Sequence, residues 1–204
     1  MKRFRAKLVG IAGGSGSGKT TLAAECAQGL GPAVARLSVD DYYRDRSNLS
    51  PRRRALLNYD HPRAIDWELL CSHIEKLVRG KPIDVPVYDF GAHARLREIR
   101  RIESSEVLLV DGLWTFRPRA MARLFDLKVY VRCPEKERLA RRLKRDVQDR
   151  ARSRTSIEKQ YREQVLPMHE RFVAPQEKRA DFSVKSPVAA ADLKSLIQTI
   201  RRLE

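Results

Sequence analysis

The run Gly13-Gly14-Ser15-Gly16-Ser17-Gly18-Lys19-Thr20 matches the phosphate-loop pattern G-x-x-x-x-G-K-[ST] at every fixed position. The motif needs a buried strand before it and a helix after it. Residues 7–12, Lys-Leu-Val-Gly-Ile-Ala, read as the strand, and 21–30, with apolar Leu22, Cys26 and Leu30, read as the helix. Glycines let the backbone turn tightly and aim its N–H groups at anionic oxygens, at a helix N-terminus whose dipole also favours negative charge. Gly13, Gly14, Ser15, Gly16, Ser17, Gly18, Lys19, Thr20 and Thr21 are therefore the candidate nucleotide-binding residues. Lys19 is expected to reach the β- and γ-phosphates, and Thr20 to ligate Mg²⁺.

A chain of 204 residues suits one well-buried α/β domain. No run approaches the roughly 18 apolar residues that cross a bilayer, and the basic start at Lys2, Arg3 and Arg5 leads into the phosphate loop rather than a signal-peptide core. A soluble, cytoplasmic protein is expected. Cys26, Cys71 and Cys133 are widely spaced, indicate neither a disulfide framework nor a zinc site, and read as small core residues. The 42 Lys and Arg against 26 Asp and Glu leave a formal charge of +16, which favours nucleotides and nucleic acid alike.

Further along, 33–39 reads as a strand ending in Asp40-Asp41-Tyr42-Tyr43, and 44–62 as a polar, Arg-rich loop or short helix. Residues 66–79 carry a helical stripe closed by Gly80. Residues 83–90 alternate like a strand despite Pro86, and 98–103 is the expected pairing partner in a small β insertion at about 82–104. Residues 106–111 and 127–133 are buried strands, 134–149 and 153–172 helices, 181–184 a last strand and 192–203 a closing helix. The alternation predicts a single domain with a doubly wound parallel sheet of the P-loop NTPase type, ligands lying beyond the strand C-termini.

Lys19, Asp40 and Asp111 all fall on that edge. Phosphoryl transfer requires a phosphate cradle, a metal and a group that orients and deprotonates the attacking hydroxyl. Asp111 reads as the second carboxylate of a Mg²⁺ site. Asp40 and Asp41 are equal candidates for the general base on residue type alone. Tyr88, Phe90 and His93 would suit stacking on a base and hydrogen bonding to its edge, although on residue types alone they read first as a core tyrosine and phenylalanine beside a surface histidine. The Arg cluster over 138–154 is either a solvated helix face or a lid, at about 138–160, that closes over the phosphates.

In order along about 8–184, five blocks resemble the uridine/cytidine kinase family of phosphate-loop nucleoside kinases. They are the loop at 13–20; Leu37-Ser38-Val39-Asp40-Asp41-Tyr42-Tyr43; Asn58-Tyr59-Asp60-His61-Pro62; Pro86-Val87-Tyr88-Asp89-Phe90 with His93 and Arg95; and Arg141-Arg142-Leu143-Lys144-Arg145-Asp146 with Gln160-Tyr161. The resemblance implies that Asp40 is the catalytic aspartate and that Tyr43 lies beside the nucleoside. It implies that Asp60 and Arg142 hold the ribose hydroxyls, that Tyr88 and His93 read the pyrimidine, and that Tyr59 and Phe90 wall its pocket. Arg152 and Gln160 would approach the sugar and Arg145 the phosphate.

This chain departs from the family pattern in three places. Ala151 stands for a lid glycine, Asp111 for a glutamate, and Lys185-Ser186-Pro187-Val188 for the loop near the donor nucleobase. The sequence thus leads to an ATP- or GTP-dependent kinase acting on the 5′-hydroxyl of uridine and cytidine. Lys19, Asp40 and Arg145 are its catalytic candidates, and Thr20, Asp40 and Asp111 its magnesium candidates. A homo-oligomer, a tetramer by resemblance, is expected, with no membrane or nucleic-acid partner. The rival readings are a related kinase acting on a phosphoribulose- or pantothenate-type acceptor, and a basic nucleic-acid-binding NTPase.

Overall fold

The computed structural model describes residues 4–148 and 153–203. Five parallel strands form the central sheet: β1 (Lys7–Gly13), β2 (Val34–Ser38), β5 (Val107–Gly112), β6 (Leu127–Arg132) and β7 (Phe182–Lys185), in the order β2-β5-β1-β6-β7. Every residue of β5 is buried, as is all of β1 beyond Lys7, which is why both read as apolar runs instead of alternating ones.

Successive side chains of β1 feed opposite faces. Leu8 and Ala12 join a core with Val110, Tyr130 and the apolar side of α3 (Trp67–Val78), whereas Val9 and Ile11 join a second core with Val129, α1 (Lys19–Leu30) and α8 (Ala190–Arg201). Layers of helix on both faces give the doubly wound arrangement that the sequence predicts. Asp66 caps α3, its side chain accepting from the Leu69 N–H at 3.3 Å.

Two strands stand apart as an antiparallel hairpin, β3 (Ile83–Asp89) and β4 (Ala94–Ile102), with Pro86 facing Ile99 and a register shift before Tyr88. β4 begins four residues earlier than the alternation suggests, because Arg95 through Arg101 are mostly solvent-exposed and carry no apolar period to read.

The polar stretch after β2 contains a 3-10 turn (Val39–Tyr42) and the short helix α2 (Pro51–Ala55), capped by Ser50. Between β5 and β6 lies α4 (Arg119–Ala122), beside the buried Trp114 and Phe116. The second Arg-rich region folds as α5 (Glu135–Gln148) and α6 (Arg154–Gln160). The single helix expected over 153–172 is instead α6, a π turn, α7 (Leu166–Met168), a second π turn and a 3-10 segment ending at Arg179. Pro167 and Pro175 lie in this run, and each removes a backbone donor from a regular ladder.

Of the cysteines only Cys26 is fully buried. Cys71 and Cys133 are half-buried, so the expectation of three core cysteines holds for one. Among the described residues no helix is long and apolar enough to cross a membrane.

Candidate active site

The loop between β1 and α1 folds as its glycines require. Gly16 and Gly18 have φ of +76° and +87°, in the left-handed region that disfavours any side chain. A Cβ on Gly16 would also lie 2.5 Å from the Arg138 carbonyl oxygen, so α5 is packed directly against the loop. Gly16→Ala should therefore cost about 2–3 kcal/mol of stability and raise the KM for ATP at least about tenfold. Thermal unfolding and ATP titration check both; an unchanged KM would separate the loop's shape from donor binding.

Lys19 is buried at the start of α1. Next to it the Thr20 hydroxyl donates to Asp111 Oδ2 at 2.7 Å, and Thr21 is exposed on the same turn. Burial raises the pKa of the Asp111 carboxyl, the Lys19 charge opposes that shift, and the Asp40 charge adds to it. The reach of Asp111 thus suffices to contact Thr20 directly, although the residue is one methylene shorter than the family's glutamate.

The two carboxylates at the end of β2 part company. Asp40 lines a cavity of about 320 Å³, its N–H donating to Ser38 Oγ at 3.2 Å and its Oδ1 buried without a hydrogen-bond partner among the described residues. Asp41 turns to the hairpin, where Arg100 donates to its Oδ2 at 2.7 Å; burial, opposed by that arginine, pushes its pKa up to about 6. Residue type could not separate the pair, but the two directions in which they point do.

The same cavity gathers most of the remaining candidates, with Ser15 and Lys19 of the phosphate-loop region, Tyr43, Tyr59, Asp60, Tyr88, Phe90 and His93, and Arg142, Arg145 and Gln160 all in its lining. The aromatics are a box and not scattered core. Tyr43 packs on Tyr88 with ring centroids 5.1 Å apart, Phe90 stands edge-on to Tyr88 at 5.2 Å, and Tyr59 and His93 stack at 4.1 Å with an interplanar angle of 7°. His93 holds φ at +51°, a left-handed conformation that non-glycine residues rarely adopt and that turns its ring onto Tyr59.

Arg142 donates to Ser15 Oγ at 3.1 Å and to Gln160 Oε1 at 3.0 Å, and faces Asp60 at 3.8 Å and Asp146 at 3.5 Å. It is nearly inaccessible, as are Arg138 and Asp146, so α5 is not the solvated face that its composition also allowed. Arg145 pairs with Asp146 at 2.8 Å and borders the cavity. Arg141 links Gly16 O at 3.4 Å with Ser186 Oγ at 2.7 Å, tying the phosphate loop to the segment after β7. Arg152 and Ala151 lie outside the described residues.

Leu57, Leu113 and Ser156 also line the cavity and were not singled out from the sequence. Leu57 was legible in principle, as half of an apolar pair inside an otherwise Arg-rich loop; Leu113 and Ser156 carry no signal.

A phosphate loop at a parallel sheet's C-terminal edge, facing a closed aromatic box across an aspartate, defines a phosphate-loop kinase with a small-molecule acceptor site. The sequence profile of the Phosphoribulokinase / Uridine kinase family matches residues 8–192, and this chain belongs to that family. It is 43% identical over 178 residues to the uridine kinase of Brevibacillus brevis, covering 87% of this chain and 83% of the relative. To the uridine kinase of Geobacillus kaustophilus it is 42% identical, covering 87% and 84%. Two solved structures share the fold: a possible uridine kinase from Bacillus stearothermophilus (TM-score 0.58, 22% identity, 90% of both chains) and the phosphoribulokinase of Rhodobacter spheroides (TM-score 0.64, 17% identity, 89% of this chain and 70% of that one).

Proposed function

We propose that the protein transfers the γ-phosphoryl group of ATP to the 5′-hydroxyl of uridine, and of cytidine, forming the nucleoside 5′-monophosphate. The observation that carries this reading is the one cavity lined by the phosphate-loop lysine, by Asp40 and by the aromatic cluster. Kinship with enzymes named uridine kinase, at about two identities in five, supports the choice of acceptor.

In this reading the base lies among Tyr43, Tyr59, Tyr88 and Phe90, and His93 contacts its polar edge. Asp60 and Arg142 hold the ribose hydroxyls, so that the 5′-hydroxyl points at Asp40 Oδ1. Asp40 accepts the proton of that hydroxyl as its oxygen attacks phosphorus, and the buried, unpartnered carboxylate oxygen is free to do so. The backbone N–H groups of residues 13–20 cradle the donor phosphates, and Lys19 neutralises charge building on the transferred group. Arg145, with Arg152 and Gln160, belongs to a lid at about 138–160 that excludes water while the group is in transit.

The Thr20 hydroxyl and the Asp111 carboxylate, in contact at 2.7 Å, are hard oxygen donors that fit Mg²⁺, and Asp40 is close enough for its charge to raise the Asp111 pKa. Among the described residues no three His, Cys, Asp or Glu side chains cluster to bind a metal by themselves, so further ligands would come from phosphate oxygens and water. Such an ion supplies charge neutralisation across the β- and γ-phosphates. The family likeness extends the proposal to a cytoplasmic homotetramer.

His93→Ala should raise the KM for uridine about tenfold or more, the equivalent of losing one stacking partner and one hydrogen bond, with little change in the KM for ATP. An unchanged uridine KM would remove His93 from the base site. The acceptor itself is tested by initial rates of ATP turnover with uridine, cytidine, ribulose 5-phosphate, pantothenate or RNA present. Uridine and cytidine should stimulate turnover; stimulation by RNA alone, or by ribulose 5-phosphate or pantothenate over the nucleosides, would overturn the proposal.

A further inference from the structure

The excess positive charge is not explained by the reaction. ATP is anionic, but it is bound at the phosphate loop; the acceptor, uridine, is neutral. Yet a run of arginines flanks the outside of the acceptor end. One groove there is lined by Arg44, Arg46 and Arg63 together with Tyr59 and His61, and it shares Tyr59 and Leu57 with the central cavity. A second groove is lined by Arg117, Arg171 and Arg179 around Phe172.

The two grooves adjoin, because His61 sits edge-on to Phe172 with ring centroids 5.0 Å apart. Arg117 and Arg171 lie over the Phe172 ring at 4.5 and 5.1 Å. After burial, the main influences holding the His61 pKa below its usual value are Arg63, Arg117 and Arg171, which places three guanidinium charges around one imidazole.

Some surface arginines elsewhere are paired, Arg5 with Asp126, Arg79 with Glu75, Arg101 with Glu103 and Arg154 with Glu158, and others, Arg52, Arg53, Arg97 and Arg119 among them, have no carboxylate partner among the described residues, so what sets the two grooves apart is the gathering of their arginines around aromatic rings. Among the described residues, none of the six arginines of the two grooves pairs with a carboxylate. Of the nearby acids, Asp45 is bound by Ser47 and the Arg95 N–H, and Glu177 by Arg132. Like charges gathered without counter-charge repel one another and are retained at a cost that an anionic partner would remove.

We propose that this band, from Arg44 and Arg63 across His61 and Phe172 to Arg117 and Arg171, binds single-stranded nucleic acid through its phosphates, with the Arg117 and Arg171 guanidinium groups that cover Phe172 offering the surface on which bases lie. Unpaired arginines alternating with half-exposed rings are the pattern that single strands use: a cationic track for the backbone and π faces for bases. A lipid surface would call for apolar side chains projecting from the band, and its half-buried Phe172 is instead covered by guanidinium groups. None of the six arginines lines the central cavity, although the first groove borders it through Tyr59 and Leu57.

The test is fluorescence anisotropy of a labelled 20-residue oligouridylate, repeated with oligothymidylate, against the full chain at 50 and 200 mM salt, with and without saturating MgATP. Binding in the micromolar range at the lower salt is expected, weakening at least about tenfold at the higher and unaffected by MgATP. Replacing Arg63, Arg117 and Arg171 together by Ala should keep uridine-dependent turnover, weaken binding at least tenfold and reduce the salt slope by about 2, since each lost phosphate contact on a single strand removes about 0.7. Should the triple variant not fold, Arg117→Ala and Arg171→Ala separately should each lower the slope by about 0.7. Arg79→Ala with Arg101→Ala, which removes paired arginines, should bind like the parent. The proposal fails if the parent does not bind at 50 mM salt, if MgATP displaces the strand, if the groove variants bind as tightly as the parent, or if vesicles of phosphatidylserine and phosphatidylcholine bind while the oligonucleotides do not.

Discussion

Asp40→Asn is expected to lower kcat for uridine phosphorylation by about 100- to 10,000-fold, the span that positioned general bases contribute, while leaving the dissociation constant for uridine within about threefold of the parent. The asparagine is nearly isosteric and keeps the 3-10 turn, whose N–H contact to Ser38 Oγ is made by the backbone. What it loses is the proton acceptor at Oδ1, which is buried and has no hydrogen-bond partner among the described residues. Asp41→Asn is the internal control. That side chain is bound to Arg100 on the hairpin, so its loss should cost kcat no more than about fivefold, the kinetic equivalent of a partly exposed ion pair. Steady-state kinetics with equilibrium binding of uridine to both variants separates them. A collapse on Asp41→Asn with near-normal turnover on Asp40→Asn would reverse the assignment.

The second large effect falls on stability as well as on substrate. Arg142 is the hub between Ser15 of the phosphate loop, Gln160 of α6, and the carboxylates of Asp60 and Asp146, all at 3.8 Å or less. Asp146 is fully buried, and deleting one partner from a buried charge cluster leaves the others short of counter-charge, at a cost of about 3–5 kcal/mol. Arg145 still pairs with Asp146, which puts Arg142→Ala at the lower end of that range. Lysine would restore the charge but not the fork that reaches Ser15 and Gln160 at once. Arg142→Lys should therefore recover most of the stability and little of the uridine affinity. Urea unfolding of the three proteins, with kcat/KM for uridine, is the measurement. If both substitutions leave the unfolding midpoint in place, the cluster carries no weight.

The parallel sheet was legible because its strands are buried on both faces: β1 and β5 are unbroken apolar runs, and the glycines between β1 and α1 leave little choice of conformation. The hairpin was legible from its pairing but not its extent, since β4 is held by backbone bonds and by arginines whose alternation has no apolar face. The π turns after α6 were not legible, because Tyr161, Val165 and Val173 keep a helix-like burial while the ladder between them shifts.

At the site, residue types gave the cradle, the metal carboxylate and a tie between Asp40 and Asp41. The resemblance broke that tie, and the geometry shows why it exists: two adjacent acids on a tight turn point to opposite sides, one into the cavity and one to Arg100. The aromatic box could not be read from spacing at all. Tyr88, Phe90 and His93 are neighbours in the chain, but Tyr43 and Tyr59 come from separate stretches, and only the fold brings their rings within about 5 Å of Tyr88 and His93.

The central claim is that one cavity brings a donor γ-phosphate to a nucleoside 5′-hydroxyl at Asp40. Its most direct test is the position of the transferred group, read by phosphorus–proton correlation NMR on the product of MgATP and uridine. The expected product is uridine 5′-monophosphate, with phosphorus coupled to the two 5′ protons and ADP formed in equal amount. Phosphate at the 2′ or 3′ oxygen, or ADP appearing with free inorganic phosphate and unmodified uridine, would contradict the account.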